Sequence, residues 1–105
     1  MSERRVVITG MGVLTACGIG YESLWKTALA GRSAIRELSD FRSNGSPIRV
    51  GGEITDFRAE DFVKKKKSLK VMSRDIQLAV AASFLAVQDS GISLNQIDPT
   101  RAGVT

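Results

Sequence analysis

Apolar and polar positions along this chain follow two periods, and the changes between them mark out its elements. Residues 4–9, RRVVIT, are a short apolar run rich in β-branched side chains and closed by glycine, which predicts a buried strand. MGVLT, 11–15, continues the extended chain past Gly10 and Gly12. Over 21–30, YESLWKTALA, the period becomes helical. Tyr21, Leu24, Trp25, Ala28 and Leu29 share one face, and Gly31 stands where a C-cap glycine belongs. Residues 31–47 read as loop, with turn signals at Asn44-Gly45 and Ser46-Pro47. IRVGGEI, 48–54, reads as a strand interrupted at Gly51-Gly52, and 59–66 as a short helix running into lysines.

The segment 74–90, RDIQLAVAASFLAVQDS, predicts a long helix. Ser73 is a suitable N-cap, Asp75 in the first turn complements the helix dipole, and Gly91 ends it. At 1.5 Å per residue the helix is about 25 Å long. Ile76, Leu78, Val80, Phe84, Leu85 and Val87, with alanines between them, leave almost no polar face, the pattern of a helix buried on most sides. A chain of 105 residues cannot surround such a helix, so the pattern implies a larger body. DPTRAGVT adds a turn at Asp98-Pro99 and then what reads as a strand just starting. The order strand, helix, strand, helices, strand gives an α/β class within at most one small domain. Two or three strands alone make a poor sheet. No internal repeat is visible.

Composition narrows the functional classes. The apolar fraction of 43% and charged fraction of 25% are those of an ordinary globular protein. A net charge of +4 suits an acidic partner without requiring nucleic acid. One cysteine excludes an internal disulfide framework. The absence of histidine removes the commonest general base and metal ligand, and no metal or cofactor set is suggested. No apolar run approaches the roughly 20 residues of a membrane span, and the N-terminus does not read as a signal peptide, so the expected location is cytoplasmic.

Two features invite a catalytic reading. Thr9-Gly10 and Gly18-Ile19-Gly20 resemble a dinucleotide-binding loop, but that loop turns at once from strand to helix, with three residues between its first two glycines. Here the gap between Gly10 and Gly18 holds seven residues, no acidic residue follows at ribose distance, and no Gly-Lys-Ser/Thr makes a phosphate loop. Cys17 lies in a Thr-Ala-Cys run. A thiol needs a base or a cationic neighbour to act as a nucleophile near neutral pH, and the chain has no histidine for that pair. Cys17 therefore reads as a small side chain in a turn.

The residues point to one family. RRVVITGMGVLTACGIGYESLWKTALAGRSAI resembles the opening of the β-ketoacyl-(acyl-carrier-protein) synthases of the thiolase-like superfamily. Thr9-Gly10-Met11-Gly12, Gly18, Trp25 and Ala30-Gly31 match its strand, glycine motif and first helix. Gly52-Glu53, Asp56-Phe57, Glu60-Asp61, Ala81-Ala82 and Gln88-Asp89-Ser90-Gly91 match later elements in order, so the resemblance runs from residue 4 to 105. It implies the N-terminal part of a five-layered α/β fold that is incomplete in this chain. It also implies an acyltransferase that joins an acyl thioester to malonyl carrier protein with decarboxylation, in fatty-acid or polyketide synthesis. The family's nucleophile and two histidines lie further along, which makes residues 1–105 inactive alone and Cys17 a non-catalytic look-alike. Homodimers, or heterodimers with a ketosynthase-like subunit, are implied as well.

The resemblance gives the basic cluster a role. Lys64, Lys65, Lys66, Lys67, Lys70 and Arg74 place six of the 15 basic residues within eleven positions, with no aromatic residue among them for stacking on nucleic acid. A solvated charged face accounts for the pattern; so does docking of an acidic acyl carrier protein, with Lys66, Lys67, Lys70 and Arg74 as the expected contacts. Met72-Ser73-Arg74-Asp75 departs from the Met-Asp-Arg-Phe of many fatty-acid synthases, which leaves polyketide-type members open. Two alternatives remain: a catalytically silent chain-length partner subunit, and a stand-alone basic binding module.

Overall fold

Two glycines bring the N-terminal segment directly onto the backbone of the longest helix. A computed structural model describes residues 2–38 and 47–105. Its elements are β1 (Leu14–Thr15), β2 (Gly18–Ile19), α1 (Tyr21–Leu29), β3 (Ile35–Glu37), β4 (Val50–Gly52), α2 (Lys66–Leu69) and α3 (Arg74–Ser90). Single 3-10 turns lie at Ala59–Asp61, Leu94–Gln96 and Pro99–Arg101. The class is α/β, as the order of patterns implies.

A Cβ on Gly12 would land on the Ala82 carbonyl oxygen and 2.6 Å from the Ala86 nitrogen; one on Gly10 would meet the Ala86 carbonyl and Ser90. Ala82, Ala86 and Ser90 are spaced by four, so they form one small-residue stripe on α3. Between the glycines, the Met11 N–H donates to Asp89 Oδ2 at 2.9 Å. The Asp89 carboxylate, with Glu22 beside it, also holds the Tyr21 phenol above its ordinary pKa. One α3 side chain thus faces both the glycine segment and the start of α1.

The helix ends follow local chemistry. Ser73 Oγ accepts from the Ile76 N–H, and Gly91 adopts φ +68° at the other end of α3. α1 closes in a Schellman motif: Arg32 N–H donates to Thr27 O, Gly31 N–H donates to Ala28 O, and Gly31 sits at φ +63°.

The strands are short antiparallel pairs. β1 and β2 pair Leu14 with Ile19 and Thr15 with Gly18, and β3 and β4 pair Ile35, Arg36 and Glu37 with Gly52, Gly51 and Val50. Gly51 and Gly52 lie inside the ladder instead of interrupting it. A Cβ on Gly52 would lie 3.3 Å from Ala16 Cβ, so the second hairpin abuts the first. β3 falls in the stretch read as loop, because three residues carry too little alternation to register. The turn signals at 44–46 lie outside the described residues.

Three sequence expectations are corrected. Residues 4–9 and 101–105 are not strands. Val6, Val7, Ile8 and Val104 are exposed, and no described strand lies beside either stretch to complete a ladder. The expected helix over 59–66 is a 3-10 turn at Ala59–Asp61 and a separate α2, with Lys65 extended between them. α1 and α3 form where expected, but their apolar faces are largely uncovered: Trp25 is 64% exposed and Ile76 49%.

The core is correspondingly small. Phe57, Ala59 and Ala81 are buried, with Leu14, Ile19, Ile54, Phe62, Leu69 and Leu78 packed around them. The radius of gyration, 17.6 Å, exceeds the about 13 Å of a closed domain of this length. The accessible surface, 9226 Å², exceeds the roughly 5,700 Å² that size scaling gives for a folded monomer of this mass. These residues form an open shape with exposed apolar faces.

Two predictions follow from this packing. In a protein carrying this chain, Gly12→Ala forces backbone apart from backbone and lowers unfolding free energy by about 3 kcal/mol or more in urea. Gly103→Ala, whose Cβ meets nothing within 4 Å, stays within about 0.5 kcal/mol. At Pro99–Arg101, Asp98 accepts from the Thr100 hydroxyl at 2.7 Å and the Thr100 N–H at 3.0 Å, which holds its carboxyl below the ordinary value. That contribution is present above the unfolded pKa and is lost as pH falls through the folded one. Thr100→Val raises the Asp98 pKa, read by NMR titration of its carboxyl carbon.

Candidate functional site

The basic stretch gains its form from the core beneath it. Phe62 at its start packs on the core, and so does Leu69 at the end of α2. Lys66, Lys67 and Lys70 are exposed. Lys66 and Lys70 are four apart and Lys67 and Lys70 three apart, so α2 and the residue after it place them on one side. Like charges at that spacing disfavour the helix by a few tenths of a kcal/mol, about 0.2–0.5 per pair, which the packing of Leu69 opposes. Among the described residues no hydrogen bond or ion pair engages the ammonium groups of these three lysines. The arrangement is a concentrated positive surface of exposed ammonium groups.

Arg74 behaves differently from the lysines it was grouped with. Its Nη2 donates to the Ile54 carbonyl oxygen at 2.8 Å, and its guanidinium carbon lies 5.0 Å from the centroid of the Phe57 ring. Phe57 stacks with Phe62 at 5.8 Å and 23°, and Phe62 meets Phe84 of α3 edge-on at 5.8 Å and 78°. Phe57 appeared in the sequence only as part of Asp56-Phe57. Nothing in one sequence pairs a ring with an arginine seventeen positions later.

Cys17 sits in the turn of the β1–β2 hairpin, part-buried, and its N–H donates to Thr15 Oγ1 at 3.1 Å. Two-residue hairpin turns favour positive φ at their central positions. Ala16 and Cys17 do not supply it; Gly18 does, at φ +133°. Gly20 N–H then donates to Val13 O at 2.8 Å, so the glycines close a hairpin and do not open towards a phosphate. Cys17 borders two shallow recesses, of about 340 and 160 Å³, and Arg36 borders both. Arginine stabilises a neighbouring anion but cannot take and return a proton. The thiol is in a turn, and the chain has no histidine.

The cluster and the hairpin are thus separate features on one small core. No helix among the described residues is long and apolar enough to cross a membrane.

Comparison with known proteins places this geometry. The family model described as the β-ketoacyl synthase N-terminal domain matches residues 3–105. The chain is 40% identical over 104 residues to 3-oxoacyl-[acyl-carrier-protein] synthase 2 of Vibrio cholerae, which covers 99% of this chain and 25% of that protein. It is 41% identical over 102 residues to a Streptomyces violaceoruber protein named as a granaticin polyketide β-ketoacyl synthase, covering 96% of this chain and 24% of that one. The solved ishigamide ketosynthase/chain length factor superposes with a TM-score of 0.81 at 34% identity, over 91% of this chain and 24% of its own. The chain spans about a quarter of the length of the curated relatives it matches. Its described elements are a portion of the ketosynthase, thiolase-like fold, and the chain belongs to the β-ketoacyl synthase N-terminal domain family.

Proposed function

We propose that residues 1–105 work as the N-terminal segment of a 3-oxoacyl-(acyl-carrier-protein) synthase. In that enzyme an acyl group passes to a cysteine outside this chain. It then condenses with malonyl carrier protein: the malonyl carboxyl leaves as carbon dioxide, a carbon–carbon bond forms, and the thiol is released. The observation that carries this reading is the in-order match of residues 3–105 to the family domain. The uncovered apolar faces of α1 and α3 support it, since they suit burial within a larger body. On this reading the segment supplies scaffold and one edge of a carrier-docking surface at Lys66, Lys67 and Lys70, and Cys17 has no part in acyl transfer.

A second reading is a chain-length partner without a nucleophile, paired with an active ketosynthase. It is favoured by the structural neighbour, which is named as a ketosynthase/chain length factor.

Two measurements test these assignments. A synthase carrying this segment releases carbon dioxide from malonyl carrier protein and forms 3-oxoacyl product, and Cys17→Ser keeps that rate within about twofold. Loss of acyl transfer in a normally folded Cys17→Ser protein overturns its assignment; no condensation by the unsubstituted protein favours the second reading. Lys66→Glu with Lys70→Glu weakens acyl carrier protein binding by roughly tenfold at low salt, and the difference shrinks as ionic strength rises. Unchanged affinity at low salt overturns the docking assignment.

A further inference from the structure

The lysines at 64–67 and 70 ride on a stretch whose two ends meet at one ring. Phe62 precedes the stretch and stacks on Phe57. Arg74 follows it, with its guanidinium 5.0 Å from the centre of the same ring and its Nη2 on the Ile54 carbonyl oxygen at 2.8 Å. Phe57 is 6% exposed, so it cannot itself meet a partner protein. Among the described residues the ammonium groups of the lysines between these ends make no hydrogen bond or ion pair, so these side chains do not fix their own position. Closure from the ends, with Leu69 packed on the core, sets the course of the stretch.

We propose that Arg74 is a positioning residue and not a carrier contact. With Phe57 it forms a clasp that holds residues 64–70 closed and presents their lysines as a preset array. The presentation of that array to an acyl carrier protein rests on the docking reading above; the clasp itself does not. Three physical arguments support the assignment. Swinging the guanidinium out towards a partner's carboxylate would break its hydrogen bond to the Ile54 carbonyl and its contact with the ring, two losses that offset the new ion pair. The planar guanidinium suits a role in which one face stacks while an edge donates, which an ammonium cannot copy. An array already ordered in the free protein loses less freedom on binding than lysines on an open loop.

The test uses the complete synthase carrying this chain and acyl carrier protein as the probe. Arg74→Lys keeps the charge but loses the fork and the stacking; Phe57→Leu removes the ring and changes no charge. Each is expected to raise amide hydrogen exchange across 64–70 about tenfold and to weaken carrier binding about fivefold, with the salt dependence of binding unchanged. The double substitution is no worse than about the weaker single one, since both open the same clasp. If Phe57→Leu fails to fold, the exposed Arg74→Lys carries the test alone. Unchanged exchange across 64–70 in Arg74→Lys overturns the clasp. So does full affinity in Arg74→Lys combined with a shallower salt dependence in Arg74→Met, the signature of a direct charge contact. Raised exchange in Arg74→Lys, with Lys66→Glu and Lys70→Glu leaving carrier affinity untouched, supports the clasp and overturns the docking reading instead.

Discussion

Two missing side chains govern this structure. At Gly10 and Gly12 the N-terminal segment lies against the α3 backbone so closely that even a methyl group would collide with it. The contact is reciprocal: α3 offers Ala82, Ala86 and Ser90 where they are needed, and Asp89 takes the N–H of the residue between the glycines. Residues about seventy to eighty positions apart are joined by backbone proximity and one charge-assisted hydrogen bond. The first hairpin starts two residues beyond Gly12 and α1 starts directly after that hairpin, so the position of both follows from where the glycines sit on α3.

What a single sequence discloses here depends on how local the cause is. α3 runs from Arg74 to Ser90 because Ser73 can cap it and Gly91 can turn left-handed, and all the chemistry lies within a few residues. The end of α1 at Ala30-Gly31 is legible for the same reason. Strands are different. Val6, Val7 and Ile8 have every local preference for a strand, yet a strand exists only beside another, and none of the described residues stands there. The reverse holds at β3, where Ile35–Glu37 is too short to signal itself and is made by its pairing with Val50–Gly52.

The candidate site divides along the same line. The lysines are visible as charge density, and the glycines of LTACGIG are visibly spaced wrongly for a nucleotide, but the hairpin they close is seen only in the structure. In the sequence Arg74 looks like the lysines beside it, because composition records charge and not occupation. Its contacts with Ile54 and Phe57 bridge loops seventeen to twenty residues apart, a distance at which no periodicity or motif operates.

The aromatic clasp separates packing from surface charge. Because closure is supplied by residues 57, 62 and 74, the positions between them are released from holding the fold, apart from Leu69 and its neighbours on the core. Charges there can be exchanged, lost or reversed with little effect on packing. Such a stretch is an interchangeable cassette: its surface charge can change without disturbing the contact between Phe57 and Arg74.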